Sequence, residues 1–233
     1  MLTSVIRKYL KFEHIFQIIC ATCISVILVS TAHAGQVSGF LTDKNGQAMQ
    51  EAVLFATPLN YPVPPFKAID NIVVAQENSV FSPYLSVMRV GTAVSFPNRD
   101  AHDHHLKSFS PDKTFELRVK GKRETPAPIM FEKTGEVALV CHFHDWMRAY
   151  IYVVDTPYFS RTDNAGNATL NGLPAGKYEV KAWAPNMFGE PLSETVQVNA
   201  EGFAAVKMQF NFVPKAPPSP RKAAKPRPDY SSF

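Results

Sequence analysis

The chain has 233 residues, a formal net charge of +4, and 45% hydrophobic residues, enough for one large or two small domains with a hydrophobic core. The basic excess lies at the two ends, because residues 35–213 contain 16 Lys and Arg against 18 Asp and Glu. The body of the protein therefore has no basic face of the kind that binds nucleic acid.

The first 34 residues have the pattern of a secretory signal peptide. Three basic residues within the first eleven precede an apolar run at 15–30, and the small-residue triplet Ala32-His33-Ala34 follows. This order predicts cleavage before Gly35, a periplasmic location and no stable membrane insertion after cleavage. The alternative is an uncleaved membrane anchor, since the apolar run approaches spanning length.

Cleavage at this position would change the cysteine and histidine inventory. Cys20 and Cys23 would leave with the signal, so the mature chain would keep Cys141 alone and could form no internal disulfide. A lone thiol in an oxidising compartment is a liability unless it is occupied, and a metal commonly protects such a thiolate. The histidines that remain fall in two short clusters: His102, His104, His105, His142 and His144.

The mature chain is predicted to be all-β. Helical periodicity is weak, whereas short runs rich in Val, Phe, Tyr and Ile recur between turn residues, a pattern typical of β-sandwiches. The clearest runs are 52–56, 87–90, 93–96, 114–119, 136–141, 149–154, 178–182 and 195–198.

Two separated segments resemble one small β-sandwich. Residues 37–58 contain V-S-G-F-L-T-D-K-N-G and residues 162–183 contain N-A-T-L-N-G-L-P-A-G-K-Y-E-V, which look like the opening and closing parts of a carboxypeptidase regulatory-like domain. We hypothesise that 36–58 pairs with 157–213 in an Ig/prealbumin-like sandwich, with another domain inserted between them. The alternative is two tandem modules, the first extended by an N-terminal strand.

The chemistry of the chain concentrates in one loop. Cys141, His144 and Met147 form a Cys-x2-His-x2-Met pattern between the apolar runs 137–140 and 149–154. A thiolate, imidazoles and a weak axial sulfur are the donors of a blue-copper electron-transfer site. A short loop between neighbouring strands can place three of these donors around one ion, and the fourth donor must come from a loop upstream.

The region 73–159 resembles the cupredoxin family, most closely plastocyanin-like proteins of the methylamine-utilisation type with a ligand loop of amicyanin length. The resemblance includes G-T-A-V-S-F-P-N-R-D at 91–100, H-H-L at 104–106, S-F-S at 108–110, and the cysteine loop running into D-T-P-Y-F at 155–159. It implies a cupredoxin Greek-key β-sandwich. Counted from Phe96, the family's upstream ligand falls on His104.

The resemblance also implies a site and a function. His104, Cys141, His144 and Met147 would bind one type 1 copper ion, and the chain would carry single electrons without being an enzyme. The ring edge of His144 would lie near the surface, where a partner such as a c-type cytochrome or a periplasmic dehydrogenase would dock. His105 replaces the asparagine that often steadies the ligand loop.

Residues around the predicted ligands have simpler interpretations. His142 is expected at the surface, His102 in a loop, and Asp103 and Asp145 in solvent or hydrogen bonds. Phe143 and Trp146 are predicted to pack beside the ion and shield it from water, with Trp146 as a candidate for the electron-entry patch.

The predicted organisation has five parts: a signal peptide at 1–34, an N-terminal β segment at 35–65 that can belong to the second sandwich, a cupredoxin domain at 66–156, a regulatory-like sandwich at 157–213, and a disordered basic, Pro-rich tail at 214–233. The tail has too few apolar groups to bury. It would keep the protein soluble or tether it to an acidic partner or surface.

Three other functions compete with electron transfer. A copper oxidase or nitrite-reductase-like enzyme needs a second copper or an open coordination position. A periplasmic copper-binding or delivery protein without a redox role could add an exposed site made of His102, His105 and His142. A degenerate copper motif on a structural sandwich is the third, and four intact ligands argue against it.

Overall fold

A computed structural model describes residues 35–65, 71–121, 124–199 and 202–220. The predicted signal peptide and the last thirteen residues of the predicted tail lie outside the described residues. The described part of the chain contains strands, turns and irregular segments but no helix, so the all-β prediction is confirmed. Within it, accordingly, there is no helix long and apolar enough to cross a membrane.

The strands are, in chain order, β1 (Gly35–Thr42), β2 (Val53–Pro58), β3 (Ile72–Val73), β4 (Ala75–Glu77), β5 (Val80–Ser82), β6 (Leu85–Arg89), β7 (Thr92–Ser95), β8 (His104–Ser110), β9 (Lys113–Val119), β10 (Ile129–Phe131), β11 (Gly135–Cys141), β12 (Arg148–Val154), β13 (Tyr158–Arg161), β14 (Asn167–Leu173), β15 (Gly176–Trp183), β16 (Leu192–Val198) and β17 (Phe203–Gln209).

The two ends of the described chain build one sandwich, which we call the flanking sandwich. One sheet has the order β14-β1-β17 and the other has the order β13-β2-β15-β16. Inward residues alternate with outward ones along β1 and β15, as one buried face of a sheet requires. The core between the sheets includes Leu41, Leu54, Tyr178 and Phe210, none of which is more than 1% exposed.

The chain leaves this sandwich after β2 and returns to it at β13. Val53 of β2 is paired with Trp183 of β15, and Pro58 is paired with Tyr178. The insertion hypothesis requires this pairing of early and late strands. The carboxypeptidase regulatory-like assignment and the domain boundaries stay predictions.

The strands between β2 and β13 form the inserted sandwich. Its sheets have the orders β10-β7-β3 and β6-β12-β11-β8-β9, and β4 and β5 form a hairpin beside them. Phe96, Leu106, Leu139 and Ile151 fill the core between the sheets and are buried almost completely. Cys141 and Met147 belong to the same apolar cluster.

An aromatic cluster joins the two sandwiches, which belong to one compact unit. The ring of Tyr152 on β12 stacks on Trp183 of β15 with centroids 4.5 Å apart, and Phe55 lies 5.5 Å from Tyr152. The hydroxyl of Thr156 donates to the carbonyl oxygen of Ala56 at 2.6 Å. β12 is consequently covered on both faces, which explains its nearly unbroken apolar sequence.

Candidate metal centre

Three predicted ligands meet at one end of the five-stranded sheet. The Cys141 Sγ atom lies 3.8 Å from His104 Nδ1 and 3.6 Å from His144 Nδ1. Cys141 is the last residue of β11 and His104 is the first of the neighbouring β8. The pairing of these strands, with Cys141 opposite Leu106, brings residues 37 positions apart into contact.

These distances fit a metal ion between the donors. Metal–thiolate and metal–imidazole bonds of roughly 2.3 and 2.0–2.1 Å, the lengths usual for zinc, separate sulfur from nitrogen by about 3.6–3.8 Å at angles of 110–120°. The two distances to Cys141 lie in this range. A thiolate with two imidazoles is also the donor set of a blue-copper centre, so the residues present fit the copper ion that the sequence predicts.

Met147 closes the loop that carries two of these donors. Its amide donates to the His144 carbonyl at 3.0 Å, and its own carbonyl accepts the Cys141 amide at 3.1 Å. The side chain is 1% exposed and packs in the apolar cluster that contains Cys141. The loop thus returns the chain directly into β12 and keeps the methionine sulfur inside the protein.

The Cys141 sulfur has an environment suited to a bound thiolate. Burial raises the pKa of the thiol, while the backbone N–H groups of His105, Phe143 and His144 act on the sulfur in the opposite direction. N–H donors lower the energy of a thiolate, and burial makes a free thiolate costly. A cation at this position would favour the ionised form that burial alone opposes.

Asp100 orients His104 from the side opposite to the cysteine. Its carboxylate lies 2.9 Å from His104 Nε2, and this contact leaves Nδ1 directed at Cys141. Burial acts to raise the pKa of Asp100, but the amide of Ser79, the His104 ring and the amide of Asn78 outweigh it and hold that pKa below its usual value. A second hydrogen bond that fixes ring orientation is typical of metal-binding histidines.

Asn98 organises the loop between β7 and β8. Its side-chain amide donates to the carbonyl oxygens of His102 and Lys120 at 2.8 and 3.1 Å, and its Oδ1 accepts the Asp100 amide at 2.9 Å. Asn98 is fully buried. One side chain therefore holds both the start of the loop and the approach to His104.

The position of His144 corrects one sequence-based expectation. Its ring edge was expected near the surface, but the residue is only 1% exposed, and its Nε2 atom is buried with no hydrogen-bond partner among the described residues. The rings of His102 and Trp146 lie over it, with centroids 5.3 and 5.1 Å away. Burial, followed by the rings of His104 and His102, lowers the pKa of His144 to about 4, so the imidazole is neutral and able to bind a metal near neutral pH.

His102 lies in the loop before β8, as expected, and its ring packs against the rings of His104 and His144. Donor atoms of His102, His104 and His144 all lie within 4.8 Å of one another. The signal in the sequence is its position two residues before His104, but spacing alone does not show where the side chain of a loop residue packs.

His105 and His142 belong together on a different side of the loop. His105 is hydrogen-bonded through Nε2 to Glu116, and its ring lies 5.4 Å from that of His142. The His105 carbonyl accepts the His142 amide at 2.8 Å, so residue 105 still supports the ligand loop through its backbone. His142 is exposed as expected. Among the described residues, His102 groups with His104 and His144, whereas His105 lies beside His142, so the accessory site suggested for His102, His105 and His142 stays a prediction.

No protein-family model and no curated protein matches the chain. Among solved structures, amicyanin from Paracoccus versutus (Thiobacillus versutus) is 18% identical, with 42% of this chain and 97% of that chain covered and a TM-score of 0.33. This part of the chain is similar to cupredoxins. The oxidised state of an amicyanin variant is 22% identical over 36% of this chain and 81% of that chain, with a TM-score of 0.32. A purple cupredoxin from Nitrosopumilus maritimus is 25% identical over 36% and 98%, with a TM-score of 0.29.

Proposed function

We propose that the inserted sandwich holds one type 1 copper ion and that the protein carries single electrons between redox partners. The observation behind this proposal is the triangle of Cys141, His104 and His144, whose sulfur–nitrogen distances of 3.6 and 3.8 Å suit a shared ion. His104, Cys141, His144 and Met147 would hold the ion, which would supply the change between Cu(I) and Cu(II).

Burial of the donors favours electron transfer over catalysis. Cys141 is the most exposed of the four predicted ligands at 5%, and the others are at most 1% exposed. A substrate has no direct approach to such an ion, whereas an electron needs none. We therefore propose a carrier and not an enzyme.

The cellular setting belongs to the same proposal. We propose a periplasmic protein whose partner is a c-type cytochrome or a periplasmic dehydrogenase, supported by the signal-like sequence at 1–34. The flanking sandwich would be a carboxypeptidase regulatory-like domain that supports the copper domain.

The test is the visible absorption and electron paramagnetic resonance of the copper-loaded, oxidised protein. We expect an intense thiolate-to-copper band near about 600 nm that Cys141→Ser abolishes. The matched control is His142→Ala, which removes an exposed neighbour and should leave the band intact. Retained colour in the cysteine variant would refute the ligand assignment. A colourless wild-type protein that still binds copper would favour delivery without a redox role.

A further inference from the structure

The rings of His102 and Trp146 lie over His144, and we call these two residues the cover. The Trp146 indole Nε1 donates to the Ser79 carbonyl oxygen at 2.9 Å, and His102 Nε2 lies 3.1 Å from the Ser79 hydroxyl. Both cover residues are thus attached to the same turn, which joins β4 to β5. His144 lies beneath them, almost completely buried.

The turn itself is held in place by the centre. Asn78 and Ser79 have φ angles of 55° and 56°, in the left-handed region that two-residue hairpin turns require. Their amides donate to the Asp100 carboxylate at 2.7 and 3.0 Å. The same carboxylate orients His104, so the cover and the ligand share one anchor. Residues other than glycine keep this backbone conformation only where surrounding contacts stabilise it, as the two hydrogen bonds to Asp100 do here.

The cover determines what a partner can touch. The side chain of His102 is 27% exposed and Trp146 is partly exposed, whereas the ring edge of His144 is sealed. The Asp100 carboxylate lies 3.7 Å from His102 Nε2, and its side chain is 11% exposed, so a negative charge lies at the edge of the cover. A partner that presents a positively charged face would complement this side of the molecule.

We propose that electrons pass between the copper ion and its partner through the cover formed by Trp146 and His102, and that the partner is a one-electron redox protein with a basic face. This inference rests on the proposed function. A reduced partner would give one electron to the bound ion, which would change from Cu(II) to Cu(I), and Trp146 and His102 would form the path without changing their own oxidation states. The ring edge of His144 does not meet the partner.

Charge substitutions can locate the surface through which electrons enter, which we call the port. His102→Lys places a positive charge in the cover, and His142→Lys places the same charge beside His105, as the matched control. The measurement is the ratio of electron-exchange rates of the copper-loaded protein with anionic hexacyanoferrate and cationic hexaammineruthenium at low salt. We expect His102→Lys to raise this ratio about tenfold, because the added positive charge attracts the multivalent anion and repels the multivalent cation when either is in contact with it. The control should change the ratio much less.

A second experiment tests the cover without the metal. Diethyl pyrocarbonate should modify His142 but not His144 in the apoprotein, and Trp146→Ala should make His144 reactive, as detected by mass spectrometry. If His144 reacts equally in both proteins, the cover does not seal it and the inference is wrong. A larger rate effect from His142→Lys than from His102→Lys would also overturn it.

Failure of the two proposals can be told apart. A wild-type protein with the blue band, but without the expected response to His102→Lys, would retain the proposed function and reject the port. A wild-type protein that lacks the band would reject the proposed function, and the inference would fall with it.

Discussion

Replacing Asn98 by alanine should destabilise the loop that delivers His104. The change removes donors to the His102 and Lys120 carbonyl oxygens and the acceptor of the Asp100 amide. Each buried polar group left without a partner costs about 1–3 kcal/mol. Since some of these groups can reach water after the loop relaxes, we expect the free energy of unfolding to fall by about 2–4 kcal/mol.

The assay is urea unfolding of the apoprotein, followed by copper titration under conditions where the variant is folded. Asn171→Ala is the matched control, because Asn171 is an exposed residue of β14. A surface change of this kind should alter stability by no more than about 0.5 kcal/mol. Copper affinity should fall in the Asn98 variant alone, since its loop carries Asp100 and His104.

The result for Asn98 separates two accounts of the loop. If Asn98→Ala lowered stability by no more than the control does, the amide would not be what holds the loop. If stability fell as expected but copper affinity did not, the position of His104 would be set by β8 alone, and the link from Asn98 to the centre would be refuted.

Two further substitutions test the site and its support. Met147→Leu keeps an apolar side chain of similar volume in the core, so we expect the fold and copper binding to be retained. Voltammetry should show a shifted reduction potential. An unchanged potential would contradict ligation by Met147. Trp183→Ala removes the ring stacked on Tyr152, and we expect the free energy of unfolding to fall by about 3–5 kcal/mol. Phe188→Ala, at a position 97% exposed, is its control and should be nearly neutral in the same unfolding experiment.

The sequence predicts those features that are determined by residues close together in the chain. The apolar runs at 136–141 and 149–154 correspond closely to β11 and β12, because their Val, Ile and Tyr side chains suit strands buried in a sandwich. Cys141, His144 and Met147 lie in one short loop, so strand pairing around that loop brings them together. Local spacing is sufficient for this part of the site.

The cover over His144 could not be predicted in the same way. Trp146 meets Ser79 across 67 residues of chain, and this contact depends on how the β4–β5 hairpin packs beside the sandwich. Trp146 lies in the Cys-x2-His-x2-Met loop and was expected to shield the ion, but no motif around Ser79 indicates that the two residues meet. His102 has the same difficulty, since the choice between solvent and the centre is made by its contact with Ser79 and by the ring of His144.

The flanking sandwich packs against β12, the strand that follows the predicted ligand loop, and limits how far that strand can move. This strand begins at Arg148, directly after Met147, and every residue from Ala149 to Val154 is buried. Its inner residues pack in the core of the inserted sandwich, while Tyr152 packs on Trp183 of the flanking sandwich. A strand covered on both faces cannot shift without breaking two cores, so the ligand loop attached to it is held at that end. The proposed electron transfer would benefit from this, because a site that moves little between oxidation states needs little reorganisation.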